Sequence, residues 1–112
     1  MLGLLPRFLA VVEGGVWILH QGDGTVSRVD PMSDRLVATI PTEVPGGGGD
    51  IAAGTGRIWV RASKTLLQAI DPTDNTIVER YGPTAVSGAV RANASHVRVT
   101  AHDIHTVWVL RP

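Results

Sequence analysis

Apolar residues occur along the chain in short runs, and glycine, proline, aspartate and asparagine separate one run from the next. Valine and isoleucine dominate these runs, whereas glycine or proline interrupts most windows that are long enough for a helix. Short runs of β-branched residues between turn residues are typical of β-strands. The pattern therefore predicts an all-β protein.

Comparison of the sequence with itself reveals three copies of one pattern. The recurring segments lie 39 to 42 residues apart: 16–18 with 58–60, 29–31 with 70–72, and 49–62 with 88–101. The third copy continues in register, because 106–112 lies over 25–31 at a shift of 81 residues. Repeats of about 40 residues with four β-rich runs are typical of β-propeller blades. We therefore expect four-stranded antiparallel blades, about two and three-quarter of them in this chain.

The runs of each copy are assigned to blade strands A to D. Copy one supplies 8–12, 16–20, 25–30 and 35–40, copy two supplies 50–53, 57–61, 65–71 and 76–81, and copy three supplies 89–92, 96–100 and 106–111. The corresponding blades span about 7–41, 49–82 and 88–112, and the third lacks its outer strand D. The alternative is a single β-sandwich whose hairpins resemble one another by accident.

The turns between strands C and D carry a repeated motif, DPMSD at 30–34 and DPTDN at 71–75. An aspartate at the first position accepts a hydrogen bond from the backbone amide two residues on, and proline presets φ at the next position. The last position, Asp34 or Asn75, tolerates a left-handed backbone that lets strand D leave antiparallel to strand C. We therefore expect Asp71 to organise its turn rather than to react.

Composition narrows the range of partners. Ten basic and ten acidic residues give zero formal net charge, so we expect no nucleic-acid partner. The sequence has no run of eighteen apolar residues, which predicts a soluble chain without a membrane span. The first twelve residues lack the charged start and the cleavage site of a secretory signal, and the absence of cysteine leaves the compartment undetermined.

The segment VWILHQGDGTVSRVDPMSDRLVATIP at 16–41 resembles the repeat of YVTN-type β-propellers, which include the virginiamycin B lyase-like proteins. Copy two keeps IWV and IDPTDN but has KTLLQA in place of DGTVSR, and copy three keeps VRV and TVWVLRP. The resemblance extends over almost the whole chain and implies a propeller. Virginiamycin B lyase-like enzymes use histidines and a glutamate with magnesium on one propeller face, and that set has no residue-by-residue match in this sequence.

Candidate chemistry concentrates on one face of the predicted disc. Every strand reversal carries the chain to the opposite face, so the B–C turns and the D–A connections meet on the same face. The residues expected on this ligand face are His20, Asp23, Arg61, Lys64, His102, Asp103 and His105. Two imidazoles and a carboxylate within 102–105 suit a divalent cation, acid–base catalysis or a polar surface loop. No cofactor is expected apart from a divalent cation at His102, Asp103 and His105.

Three functions fit these predictions. The first is a binding or interaction scaffold that holds a ligand or partner on the ligand face. The alternatives are a virginiamycin B lyase-like or other metal-assisted enzyme, and a truncated propeller without independent function, because a fold alone does not specify a task. Trp17 and Trp59 recur at the same position of strand B and are assigned to core packing.

The open ends of the blade stack predict a protein partner, because apolar sheet faces rarely stay uncovered. The partner is a second copy of the chain, which closes a six-bladed ring as a homodimer, or another protein. In the homodimer, the apolar segment 2–5 supplies the outer strand that the third blade lacks.

Overall fold

The computed structural model describes residues 6–12, 15–20, 22–42, 49–62, 65–83, 88–101 and 104–112. The segment 2–5, predicted above to be an exchanged strand, lies outside these residues. The described part of the chain is made of β-strands and turns. None of it forms a helix of the length and apolar character needed to cross a membrane.

Eleven strands in the described part of the chain form three sheets. The first sheet contains β1 (Pro6–Val12), β2 (Gly15–His20), β3 (Thr25–Asp30) and β4 (Arg35–Pro41). The second sheet contains β5 (Asp50–Gly54), β6 (Arg57–Arg61), β7 (Leu67–Asp71) and β8 (Thr76–Tyr81). The third sheet contains β9 (Val90–Ala92), β10 (Val97–Ala101) and β11 (Thr106–Leu110).

This arrangement confirms the predicted all-β architecture of propeller blades. Consecutive strands of each sheet pair antiparallel, so every sheet is a simple meander. Strand ends differ from the predicted ones by no more than two residues; the largest differences are at β1, which begins at Pro6, and at β7, which begins at Leu67. Three separate sheets exclude the single sandwich.

The turns between strands C and D have the predicted chemistry. Asp30 Oδ1 accepts a hydrogen bond from the Met32 amide at 2.9 Å, and Asp71 Oδ1 accepts one from the Thr73 amide at 2.8 Å. The closing residues Asp34 and Asn75 have φ values of 56° and 61°. Both features follow from local sequence, because an Asx turn and a left-handed residue need no tertiary partner.

A β-bulge interrupts the outer strand pair at the same place in two sheets. The register shifts between Arg28 and Val29 in the first sheet and between Ala69 and Ile70 in the second. Each bulge inserts one extra residue into the outer strand and increases the local twist. The repeat therefore determines this irregularity as well as the strands, although no glycine marks it in the sequence.

The sheets stack face to face, and their inner strands β1, β5 and β9 lie side by side. The gap between the first two sheets is filled mainly by Trp17, Leu19, Val26, Ile58, Val60 and Ile70. The gap between the second and third sheets is filled mainly by Trp59, Leu67, Ala69, Val90, Val97 and Val99. Both tryptophans are fully buried, which confirms their assignment to core packing.

Arg28 on β3 joins the first sheet to the second. Its Nη1 donates to Pro72 O at 2.6 Å and to Asn75 Oδ1 at 2.7 Å, and its guanidinium carbon lies 5.0 Å from the centre of the Trp17 ring. Both acceptors belong to the DPTDN turn of the second sheet. The arginine of one copy thus fastens the C–D turn of the next, with a cation–π contact to its own strand B.

Candidate binding surfaces

The predicted ligand face is described at four of its seven candidate residues: His20, Asp23, Arg61 and His105. Lys64, His102 and Asp103 lie outside the described residues. The four described side chains differ in exposure and in hydrogen bonding, and only some of them face solvent. Whether any of them contacts a ligand stays a prediction.

His20 ends β2 as a fully buried side chain. Its Nε2 lies 2.8 Å from Ser27 Oγ, which is also buried, and its Nδ1 has no hydrogen-bond partner among the described residues. Strand pairing places Ile18 opposite Ser27 and His20 opposite Thr25, so His20 and Ser27 lie on the same face of the first sheet. This face is the one turned away from the second sheet, and the imidazole is nevertheless buried there beside the Ser27 hydroxyl rather than in contact with solvent.

Arg61 ends β6 and is also buried, with 1% of its surface exposed. Its Nε donates to Thr100 O of the third sheet at 2.9 Å, and its Nη1 donates to Ala62 O and to Leu66 O. Gly88 permits this close approach, because a Cβ there would lie 1.8 Å from Thr100 O and 2.9 Å from Arg61 Nε. The guanidinium thus clamps the second sheet to the third.

Asp23 is exposed in the turn between β2 and β3. Its Oδ1 accepts hydrogen bonds from Thr25 Oγ1 at 2.7 Å and from the Thr25 amide at 3.3 Å. Gly24 follows Asp23 with a φ of 69°, a left-handed conformation that suits glycine. The carboxylate shapes this B–C turn while remaining at the surface.

His105 occupies the equivalent turn of the third sheet, between β10 and β11. His105 and Gly24 each immediately precede the first residue of strand C, Thr106 or Thr25. His105 is exposed and has a φ of 51°, a conformation that costs a residue with a Cβ about 1 kcal/mol. It lines a cavity of about 270 Å³ together with Thr100, Ala101 and Val107. Of the four described candidates, it is the one that combines exposure, a cavity and backbone strain.

The metal hypothesis has one of its three residues, His105, in the described part of the chain. Within that part, no group of three or more histidine, cysteine, aspartate or glutamate side chains is close enough together to hold a metal ion. A site at His102, Asp103 and His105 stays a prediction because two of its ligands lie outside the described residues.

A second cavity, of about 320 Å³, lies at the opposite rim, beside the turn that joins β5 to β6. Val11 of the first sheet and Gly54, Arg57 and Pro72 of the second sheet line it. Arg57 is already paired with Glu79 Oε1 of the same sheet at 2.5 Å. This groove is largely a gap between the first two sheets, and none of the predicted ligand-face residues lines it.

We call the surface of the first sheet that faces away from the second sheet the leading face. Its apolar residues are Leu9, Val11, Val16, Ile18, Val29 and Leu36, and strand pairing places the buried His20 and Ser27 on the same face. The counterparts of the apolar residues in the second sheet, at shifts of 41 and 42 residues, are Ile51, Ala53, Ile58, Val60, Ile70 and Ile77, and all six belong to or pack against the core between the first two sheets. On the leading face, Leu9 and Val11 are 62% and 66% exposed. Among the described residues, the leading face thus has the apolar composition of a blade interface and is exposed at Leu9 and Val11.

We call the surface of the third sheet that faces away from the second sheet the trailing face. Strand pairing places Arg91, Arg98, Val107 and Val109 on it. Val107 and Val109 are 63% and 47% exposed. Arg98 takes the position of Trp17 and Trp59 in the other copies, so this face is less apolar than the interfaces inside the stack.

Comparisons with known proteins establish the class of fold and nothing narrower. No protein-family model matches the chain, and no curated protein matches it. Solved β-propeller structures match it over nearly its full length, at sequence identities at which structural likeness reports the fold alone.

Three of these structures show how similar the matches are in fold and in sequence. The WD40 repeats of RRP9 match with a TM-score of 0.67 and 12% identity, over 95% of this chain and 36% of that one. Myxococcus xanthus glutaminyl cyclase matches with a TM-score of 0.62 and 15% identity, over 95% of this chain and 47% of that one. Kuenenia stuttgartiensis hydrazine synthase matches with a TM-score of 0.62 and 9% identity, over 96% of this chain and 36% of that one. The chain therefore spans less than half the length of each.

Proposed function

We propose that the chain is a segment of a YVTN-type propeller that acts as an interaction scaffold and binds a peptide segment of another protein on the ligand face. The observation that carries this proposal is the conformation of His105. His105 has an exposed side chain and a left-handed backbone, and it stands where the first copy has glycine. Keeping a residue other than glycine in this conformation costs stability. Such strain, beside a cavity, marks a position selected for its imidazole.

The other candidates support a scaffold rather than a reaction centre. His20 and Arg61 are buried and bonded within the framework, and Asp23 shapes a turn. Catalysis by acid–base transfer needs a titratable group within reach of a substrate, and burial withholds both His20 and Arg61 from that role. Among the described candidates, the surface open to a partner is the cavity beside His105.

The substitution His105→Gly tests this site. Glycine relieves the left-handed strain but adds freedom to the unfolded chain, so the free energy of unfolding should stay within about 1 kcal/mol of the wild-type value. Peptides selected against the immobilised wild-type chain from a random phage-displayed library should lose affinity for the variant at least about tenfold, which corresponds to the loss of one well-made contact.

Ala94→Gly is the matched control, because Ala94 is exposed in the A–B turn on the opposite rim. It should leave peptide affinity unchanged. Selected peptides that bind His105→Gly as tightly as wild type would refute the proposed site. The metal-assisted alternative has its own assay: if magnesium, manganese and zinc each leave the melting temperature unchanged, a cation site at His102, Asp103 and His105 is abandoned.

The partner proposal extends to a second copy of the chain, which would close a six-bladed ring as a homodimer. The leading face supports it, because the equivalent positions of the second sheet are buried against a neighbouring blade. Light scattering behind a sizing column should give twice the mass of the chain. A monodisperse monomer would refute the ring, and a dimer that survives deletion of residues 1–5 would reject strand exchange while sparing the ring.

A further inference from the structure

We infer that the ring proposed above is held in register by an ion pair between Arg98 on the trailing face of one copy and Asp34 on the leading face of the other. The inference rests on the homodimer and adds the contact that selects which faces meet. In this arrangement, the third sheet of a second copy covers the leading face.

The contact between the first two sheets provides the template. There, Arg28 of one sheet donates to Pro72 O and to Asn75 Oδ1 in the C–D turn of the next sheet. Arg28 lies directly opposite Trp17, so the contributing sheet presents an arginine and a tryptophan as a cross-strand pair. The receiving sheet presents Asn75, which has a left-handed backbone and whose Oδ1 accepts a hydrogen bond from the guanidinium.

The first sheet carries the receiving half of this contact on its leading face. Its DPMSD turn places Pro31 and Asp34 at the positions of Pro72 and Asn75, and Asp34 has the same left-handed backbone. Asp34 is exposed, and it replaces the amide of Asn75 by a carboxylate. An arginine that docks here forms a charge-assisted hydrogen bond, which is stronger than its neutral counterpart.

The third sheet carries the contributing half on its trailing face, with the two strands exchanged. The pair Trp17 and Arg28 is replaced by Arg98 and Val109, which again lie directly opposite each other. Directly opposed residues have Cβ atoms about 5 Å apart. A long guanidinium side chain spans that offset, so Arg98 covers the region that Arg28 covers in the first sheet. The cross-strand pair therefore still contains one arginine, but in the third sheet that arginine is on strand B instead of strand C.

Charge and apolar surface both favour this docking over the pairing of two trailing faces. Val109 meets the aliphatic leading face, and Arg98 meets Asp34 of the DPMSD turn; the other arginine of the trailing face, Arg91, is already paired with Asp50 of the second sheet. Two trailing faces placed together would bring Arg98 against a second Arg98, a like-charge contact that disfavours association. The docking of trailing face on leading face also repeats the orientation of the two interfaces inside the stack, so two copies close with two equivalent contacts.

Charge reversal of each partner provides the test. Arg98→Glu and Asp34→Lys should each weaken the dimer at least about tenfold, because each puts like charges at both interfaces of the ring. In a one-to-one mixture of the two variants, the glutamate introduced at position 98 of one copy faces the lysine introduced at position 34 of the other. The unchanged Arg98 and Asp34 meet at the second interface, so both interfaces regain opposite charges. The mixture should therefore form a heterodimer with an affinity near that of the wild type, whereas each variant alone stays weak.

Asp74→Lys is the matched control, because Asp74 lies in the C–D turn of the second sheet, away from both end faces; it should leave the dimer unchanged. Circular dichroism of each variant checks that its sheet content is unchanged, and a salt titration of the wild-type dimer provides a measurement that needs no variant. A wild-type monomer would overturn the ring and the ion pair together. A dimer that neither charge reversal nor salt weakens would overturn the ion pair alone, and a leading-face to leading-face dimer would give that result.

Discussion

Gly54 fixes the distance between the inner strands of the second and third sheets. Trp59 Nε1 donates to Gly54 O at 3.1 Å, and the neighbouring Thr55 amide donates to Asn93 O at 2.9 Å, so a hydrogen bond between the sheets stands beside this residue. A Cβ on Gly54 would lie 2.5 Å from Asn93 O, 2.6 Å from Ala92 Cβ and 2.9 Å from Asn93 N. Gly54→Ala therefore tests how rigidly the blades are spaced.

The magnitude follows from what the new methyl group meets. Ordinary carbon contacts lie at about 3.5 to 4.0 Å, so the closest atoms must retreat by about 1 Å. Overpacking a well-packed site costs about 1 to 3 kcal/mol. The new methyl group would meet the backbone of Asn93, which directly follows β9, and the Cβ of Ala92, and neither is the end of a flexible side chain. We therefore expect the upper value, about 3 kcal/mol.

Gly56→Ala is the control two residues away. Gly56 has a φ of 76°, and a Cβ there would meet nothing within 4 Å, so its cost comes from the left-handed backbone alone, about 1 to 2 kcal/mol. Urea unfolding followed by tryptophan fluorescence and circular dichroism gives both free energies. If Gly54→Ala loses no more stability than Gly56→Ala, the close approach of the sheets does not limit their spacing and the reasoning fails.

Two further substitutions test the repeat framework. Asp71→Ala removes the acceptor for the Thr73 amide at 2.8 Å and should cost about 1 kcal/mol in urea unfolding, like the loss of a helix cap. It should not alter peptide binding on the ligand face, and lost binding at unchanged stability would contradict the structural role of Asp71. Arg28→Met removes the donor that joins two sheets and should cost about 2 kcal/mol, whereas Arg57→Met breaks an ion pair within one sheet and should cost about 0.5 kcal/mol. Equal losses would show that Arg28 does not fasten the next blade.

The repeat made most of the fold predictable because its information is local. A C–D turn needs an aspartate acceptor, a proline and a residue that tolerates positive φ, and all three are visible in DPTDN at 71–75. Strand B of the second sheet is apolar on both faces because a sheet covers each side, and this is visible as the unbroken run Ile58, Trp59 and Val60. Such features recur at the same position of each copy, so a strand or turn assigned in one copy can be tested against the equivalent residues of another.

The burial of His20 and Arg61 was not predictable in the same way. Antiparallel alternation places the end of strand B at the ligand face, but it does not say how closely the next sheet approaches that end. Gly88 decides this for Arg61, because a glycine there lets the third sheet come within hydrogen-bond distance of the guanidinium. The sequence analysis did not predict the hydrogen bond from Arg28 to Asn75, although both residues can be found from the repeat. Arg28 stands just before the DPMSD motif of the first copy, and Asn75 ends the DPTDN motif of the second.

Departures from the repeat carry more functional information than the residues that follow it. The repeated residues Trp17, Trp59, Asp30 and Asp71 pack the core or close turns, so they serve the fold and do not indicate a task. His105 replaces a glycine, and Arg98 replaces a tryptophan. Each replacement is exposed where the repeated residue served the framework, and each lies on the third sheet. A framework that remains intact in two copies can tolerate such changes in the third at little cost to folding, which is why the proposed peptide site and the proposed ion pair both draw on the third sheet.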